Sequence, residues 1–564
     1  MLEYIMKIIR RSFLLALLIF SVTIYSQVEN VPLTHPVYIF LKQMKVKNII
    51  PFISEDVPNL SRFQVKGYLQ EVEKEYDQLS NTERNLLNRY KIDFYEVLDT
   101  ANTNYFFNPN EDFGKSLAGL FTNKIKYFYA YSEESANVFI EILGDYYYGQ
   151  QFKPEVNNSH LFDVGFRIRG TVFDHLGYNL TVLKGGAAGS RQIAELIQPK
   201  IKQSYKWVEN AENIGNYDFT EGYLKYYTEP AKDMGLTFQL GREFKTIGYG
   251  YGNKLMLSGL GPSLDFLQFD FDYGIIHFTS IHGTTVGDMS LNYEDRYSKF
   301  WAFNRLKLSF QNLFEIGIGE SVVYSERGID IAYLTPAGFY KFIEHSTQDR
   351  DNANLYFDLQ TNFIHNLELQ ATFLLDENIL SNLQDLDSYK NKTAYQLGVY
   401  WYEAFTMNDL SFIVEYTKIR PYVYSHYNTK NAYTGWGVNL GHPIGPNADE
   451  FFSKLSYDVN EWMRLSLDYR YIRSGENVYD TSGTLIKNVG GDIEINHGPE
   501  PQNETAIFLD GIRINNNIFA VGLRVEPIRD FIFNFIYNYD YEENLTLGTT
   551  STQSYGVIRF QLGY

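Results

Sequence analysis

Over most of its length this chain alternates apolar and polar residues with a period of two, which restricts it to β-sheet. In "LFDVGFRIRG" one face carries Phe162, Val164, Phe166 and Ile168, and the other Asp163, Arg167 and Arg169. In "MRLSLDYRYI" Leu465, Leu467, Tyr469 and Tyr471 oppose Arg464, Ser466, Asp468 and Arg470. "GLTFQLGRE", "FAVGLRV" and "FNFIYNYDYE" repeat the device, and the final "YGVIRFQLGY" alternates to Tyr564. Strand after strand, a charged face needs water and an aromatic face needs lipid or a core.

A bilayer admits sheet only as a closed barrel, because an open edge leaves backbone groups unpaired. Tyr and Phe raise the aromatic share to 17%, as interfacial girdles require. No later apolar run is long enough for a spanning helix. The expected fold is therefore an all-β transmembrane barrel. At roughly 25 residues per strand with its share of loop, residues 105–564 give about 18 antiparallel strands. The last strand must pair with the first, so Tyr564 is expected to close the barrel.

The N-terminus agrees with export. Lys7, Arg10 and Arg11 precede an apolar run from Phe13 to Ile24, and "IYSQ" offers cleavage after Ser26. Residues 1–26 read as a signal peptide. Residues 27–104 carry helical periodicity and read as a small bundle placed in the periplasm. "HPVYIFLKQMKV" would begin a helix at Pro36, where proline costs least. Ser61 with Gln64, and Ser80 with Glu83, form capping boxes for two more. Zero cysteines leave no disulfide and no thiolate metal site.

The net charge of −19 argues against nucleic acid, whose phosphates need Lys and Arg. Asp270 and Asp272 in "FDFDY" have metal-like spacing, but lumen-facing alternation explains them equally well. "GYGYGN" around Gly248, Gly250 and Gly252 precedes no helix start, so close backbone approach is favoured over phosphate binding. The histidines show no zinc spacing. His345, Ser346 and Asp351 stand close in sequence without an oxyanion-hole string, so an esterase is not expected. No cofactor or metal is called for.

A long string from Arg420, "RPYVYSHYNTKNAYTGWGVNLGHPIGPNADEF", stands apart. Together with "TEGYLKYY", "LGREFKTIGYGYGNKLMLSGLGPSLDFL", "SERGIDIAYLTPAGFYKFIEH" and the helical "PNLSRFQV" and "LSNTERNLL", it resembles the Wzi-type capsule assembly proteins in their larger form. The resemblance spans nearly the whole mature chain. It implies an outer-membrane barrel of a Gram-negative-type cell, its lumen closed by loops and its long loops at the surface. It also implies a lectin-like role in attaching or organising capsular or extracellular polysaccharide. The partners expected are that polysaccharide, outer-membrane lipid and, during assembly, the barrel-insertion machinery; a monomer is expected. The competing function is a porin for oligosaccharides or other small solutes.

Within the matched strings, Arg420, Tyr422, Tyr424 and His426 lie at alternate positions and share a face if that strand is regular. His442 and Asn447 follow, and Arg327 and Asp330 come from "SERGID". Either these eight contact polysaccharide, or they form an internal lattice that holds the plug. The segment 185–216, with "SRQIAELIQPKIKQ" at its centre, reads as inserted material in or on the barrel mouth.

Overall fold

The computed structural model describes residues 27–563 except 96–97, 100, 108–111, 134, 210–214, 262, 337, 349, 377–386 and 498–504. The signal-peptide expectation and the role of Tyr564 lie outside the described residues. Eighteen antiparallel strands close into one barrel, the count that the strand-length argument gives. They run from nine to seventeen residues. Closure is made by Thr549–Leu562 against Asn137–Lys153, with Arg559 opposite Tyr147 and Leu562 opposite Gly144.

The period of two sorts the wall as expected. Phe162, Val164, Leu240, Leu467 and Val521 are exposed on the outside. Arg169, Gln239, Gln268, Arg305 and Glu315, at the opposite parity, are buried inside. Every turn at one end is short, such as 232–233, 274–275 and 461–462. The other end carries the long connections 190–215, 244–263, 326–351, 420–447 and 477–511. No helix of the described residues is long and apolar enough to cross a membrane.

The N-terminal helices form where their caps predict. Helix α1 spans Val37–Val46 behind Pro36, α2 spans Arg62–Lys74, and α3 spans Asn81–Tyr95. Both capping boxes are made: the Ser61 amide donates to Gln64 and the Ser80 amide to Glu83. Their placement differs from a free-standing bundle. Val37, Phe40, Leu41 and Met44 of α1 share one apolar cluster with Leu69, Leu87 and Phe94 and with the wall residues Tyr400, Ile413 and Phe452. The segment thus enters the lumen from the short-turn end, and α3 caps that end through Asp93–Arg529 and Arg89–Glu526. The wall also starts later than residue 105. Thr103–Tyr105 pairs in parallel with Ile125–Tyr127, outside the barrel sheet.

Candidate functional site

The lumen is filled by this chain's own segments, held by buried charge. Arg305 on the wall lies 3.1 Å from Asp56 of the N-terminal segment and 2.9 Å from Asp358 on a neighbouring strand. Lys307 reaches Asp56 at 2.5 Å. One turn of α1 supplies Lys42, paired with Glu55 and Glu368, and Lys45, paired with Glu315 at 2.9 Å. Burial raises the cost of an ionised Asp56, yet the charges of Arg305 and Lys307 outweigh it and hold the carboxyl well below its usual range. Further along, Glu29 meets Arg169 at 2.9 Å, and Asn30 donates to Glu243 at 2.9 Å.

From the opposite end, the connection 244–263 descends into the same lumen. Tyr249 donates to Glu315 at 2.9 Å and Tyr251 to Glu368 at 2.8 Å, so both tyrosines use the carboxylates that hold α1. The amides of Tyr251 and Gly252 donate to the Glu415 carboxylate at 2.7 and 3.1 Å. The acceptor held by "GYGYGN" is therefore a wall carboxyl group, and the motif serves close backbone approach. At Gly250, φ is +133° and an added Cβ would stand 2.3 Å from the Asn253 carbonyl, so only glycine fits. The two insertions meet where the Gly248 amide donates to the Asp56 carbonyl at 2.8 Å.

The connection 420–447 closes the stack above them. Tyr424 and Tyr433 stack with centroids 5.3 Å apart. Their hydroxyls donate to the carbonyls of Leu255 at 2.7 Å and Met256 at 3.0 Å. Trp301 donates to the Tyr433 hydroxyl at 2.9 Å. The helix Arg191–Ile197 lies over the inner face elsewhere, where Ala194 packs with Tyr147, Leu161 and Tyr217.

The residues singled out from the Arg420 string are part of this packing. The strand ends at Ile419, so the alternation in "RPYVYSH" does not mark a strand. Tyr422 and Tyr424 take φ of 65° and 73°, left-handed backbone that breaks a common face. Tyr422 donates to the Asn488 carbonyl at 3.1 Å and Arg420 to the Asn391 carbonyl at 3.1 Å. His426 is buried, its Nδ1 accepting from the Asn428 amide at 3.2 Å. Asn447 donates to Gly475 and accepts from the Leu509 amide. His442 is fully buried; burial first, then the charge of Arg470, pushes it down to about 3, so its ring is neutral. Arg327 makes a two-pronged pair with Asp351 at 2.9 and 2.6 Å, while Asp330 caps the turn Ile331–Leu334 and meets Arg350 at 2.8 Å. The six residues of the Arg420 string thus bond to the chain's own groups, while Arg327 and Asp330 tie the connection 326–351 at the rim.

Neighbouring polar groups are likewise bonded within the chain. Asp351 receives Arg327 and the Tyr333 hydroxyl, and the Ser346 hydroxyl donates to the Ile343 carbonyl, so no Ser–His–Asp set is assembled there. Asp270 receives Gln268, Thr279 and, from the plug, Asn59. No metal-holding cluster exists among the described residues.

What the long-loop end displays to solvent is a different set. Tyr293 is 81% exposed and Tyr205 43%, and the Arg296 guanidinium lies 5.8 and 5.3 Å from their ring centres. Arg296 is itself held by the carbonyls of Ser290 and Leu291. Tyr427 is exposed beside His426, with ring centres 4.2 Å apart. These rings come from connections distant in sequence, so spacing alone does not find them. Such a surface offers flat apolar faces beside planar hydrogen-bond donors.

Part of the lumen remains open along the strands Ala448–Asn460 and Met463–Glu476. A cavity of about 420 Å³ lies there between α1 and the wall, where Lys454, Arg464, Asp468 and Arg470 keep a fifth to a third of their side chains exposed. Each is paired, as Arg470 with Glu450 at 2.8 Å and Lys454 with Asp468 at 2.8 Å.

No family model and no curated protein sequence matches the chain. Among solved structures it is similar to Wzi, an outer membrane protein involved in group 1 capsule assembly in Escherichia coli and described as a carbohydrate-binding β-barrel. The TM-score is 0.55 at 11% identity, covering 96% of this chain and 100% of that one. The likeness is one of fold. OprD from Pseudomonas aeruginosa follows with a TM-score of 0.42 at 8% identity over 75% of this chain and 92% of the other. OccAB2 from Acinetobacter baumannii gives 0.43 at 9% identity, over 75% and 97%.

Proposed function

We propose that this protein sits in an outer membrane and holds extracellular or capsular polysaccharide at its long-loop end, without catalysis. The observation that carries the reading is the meeting of the N-terminal segment and the connection 244–263 inside the lumen, at Gly248 and Asp56. A barrel filled from both ends by its own chain, through buried ion pairs on one side and hydrogen bonds on the other, works at its surface. In barrels of this type short turns face the periplasm and long loops the exterior. That orients α3 inward and Tyr205, Tyr293, Arg296 and Tyr427 outward. Rings beside a fixed guanidinium suit the C–H faces and hydroxyls of sugars. The full-length likeness to Wzi, a barrel that binds carbohydrate, supports the same reading.

The test is retention of the producing cell's polysaccharide by the purified protein. Replacing Tyr205 and Tyr293 together by Ala should lower retention at least tenfold with heat-modifiable gel mobility unchanged. Undiminished retention removes that surface from the account. The second reading, a solute channel, rests on the half-open strip by Arg464 and Arg470, and its test is conductance.

A further inference from the structure

One long connection turns the other way, over the outside of the wall. Asn304 and Glu320 sit next to Arg305 and Ser321, which reach Asp56 and Tyr433 within the lumen. By strand parity Asn304 and Glu320 therefore point outward. They face each other across adjacent strands, and Ser280 continues the same row on the next strand. One step toward the short turns, the outward row is Phe278, Leu306, Ile318 and Phe357, all apolar. A single polar row thus interrupts the apolar outer face of these three strands, and on the fourth strand Leu355 stands in that row.

The connection 326–351 covers that polar row. The Tyr340 amide donates to Glu320 at 2.6 Å, and Asn304 donates to the Gly338 carbonyl at 3.3 Å. Tyr333 and Tyr340 pack on the outward Phe300, Ala302, Val322 and Ala353, with Ile343 beside them. The flap exposes a group of apolar side chains: Ile331 is 78% exposed and Phe342 70%, accompanied by Ile329, Leu334 and Phe339, and the exposed polar residues His345, Ser346 and Gln348 follow Phe342 toward the flap's end. Its base is tied at the rim, where Arg327 pairs with Asp351 and Lys430 with Glu326.

We propose that this flap is seated in the membrane, its Ile331–Phe342 side packed against the lipid acyl chains of the leaflet at the long-loop end. The occupant follows from continuity. The flap lies directly above Leu306 and Phe357 on the same outer surface, and its exposed side restores the apolar band that Asn304 and Glu320 interrupt. The wall there is two layers thick, and the barrel's lipid-facing belt is asymmetric. This inference rests on the membrane reading above.

The chain has no cysteine, so single substitutions can be spin-labelled cleanly. Phe342→Cys and Ile331→Cys are labelled in the full-length protein reconstituted into phospholipid nanodiscs. Relaxation by oxygen is compared with relaxation by a water-soluble nickel chelate. Leu467→Cys and Val521→Cys, exposed on the bare wall, are the lipid references, and Tyr427→Cys is the water reference. The flap labels are expected to follow Leu467 and Val521, oxygen-accessible and shielded from nickel. If the wall labels are in lipid and the flap labels follow Tyr427, the flap inference falls while the membrane reading stands. Labels at the flap shielded from both reagents and broadened by spin–spin coupling identify a second copy as the occupant and overturn it equally. Nickel access at Leu467 and Val521 as well would overturn the membrane reading itself.

Discussion

Asp56 of the N-terminal segment and Arg305 of the wall form a buried ion pair at 3.1 Å, and Lys307 reaches the same carboxylate. Removing one partner of a buried pair strands the other charge, at a cost of about 3–5 kcal/mol. Asp56→Ala should therefore lower the temperature of the heat-induced gel shift. The acid response follows from the sign of the Asp56 shift. A carboxyl held low contributes fully above its unfolded value of about 4, and that contribution is lost as pH falls through the folded value. Wild type should lose stability below about pH 4, and Asp56→Asn should lose less there.

His442 predicts a second, separate pH effect. Its folded value of about 3 lies below the ordinary 6.5. Between those values the unfolded chain takes up a proton that the folded loop refuses, so stability falls as pH drops through this window. The slope from this group is at most about 1.36 kcal/mol per pH unit. His442→Gln, followed by protease resistance of the outer loops from pH 7 to 4, should flatten the dependence. An unchanged slope would show that the buried ring does not carry it.

Tyr424 predicts a structural effect on the loop crown. Its ring stacks on Tyr433 and its hydroxyl reaches Leu255. Tyr424→Ala should cost about 3–5 kcal/mol, as truncation of a buried aromatic does. Tyr424→Phe should cost about 1 kcal/mol, the hydrogen bond alone. Limited proteolysis of 420–447 reads the difference; equal behaviour of the two variants would contradict the packing.

Adjacent positions on one strand test the facing of the wall. Leu467→Arg places a charge on the outer side and should cost roughly 2–4 kcal/mol near the bilayer centre. Ser466→Arg points into the lumen and should fold normally in lipid vesicles. Equal penalties would undo the parity assignment.

The strands were legible because alternation is local. "LFDVGFRIRG" states its two faces without help from any other segment. The helix starts at Ser61 and Ser80 were legible for the same reason, since a cap acts over three residues. The plug was not. Nothing local marks Lys42, Lys45 and Asp56 as buried, because their partners Glu368, Glu315 and Arg305 lie on strands hundreds of residues away. In "RPYVYSH" alternation misled, because left-handed backbone at Tyr422 and Tyr424 leaves no trace in residue type. The flap left one signal: Asn304 and Glu320 interrupt otherwise apolar faces.

The central claim is that the barrel is closed by its own chain and works at its surface. Single-channel recording of the full-length protein in planar bilayers tests it most directly. The account predicts no steady openings, and brief conducting events only after Asp56→Ala and Lys45→Ala loosen the plug together. Large, steady ohmic openings of the unmodified protein would contradict it and establish the channel reading.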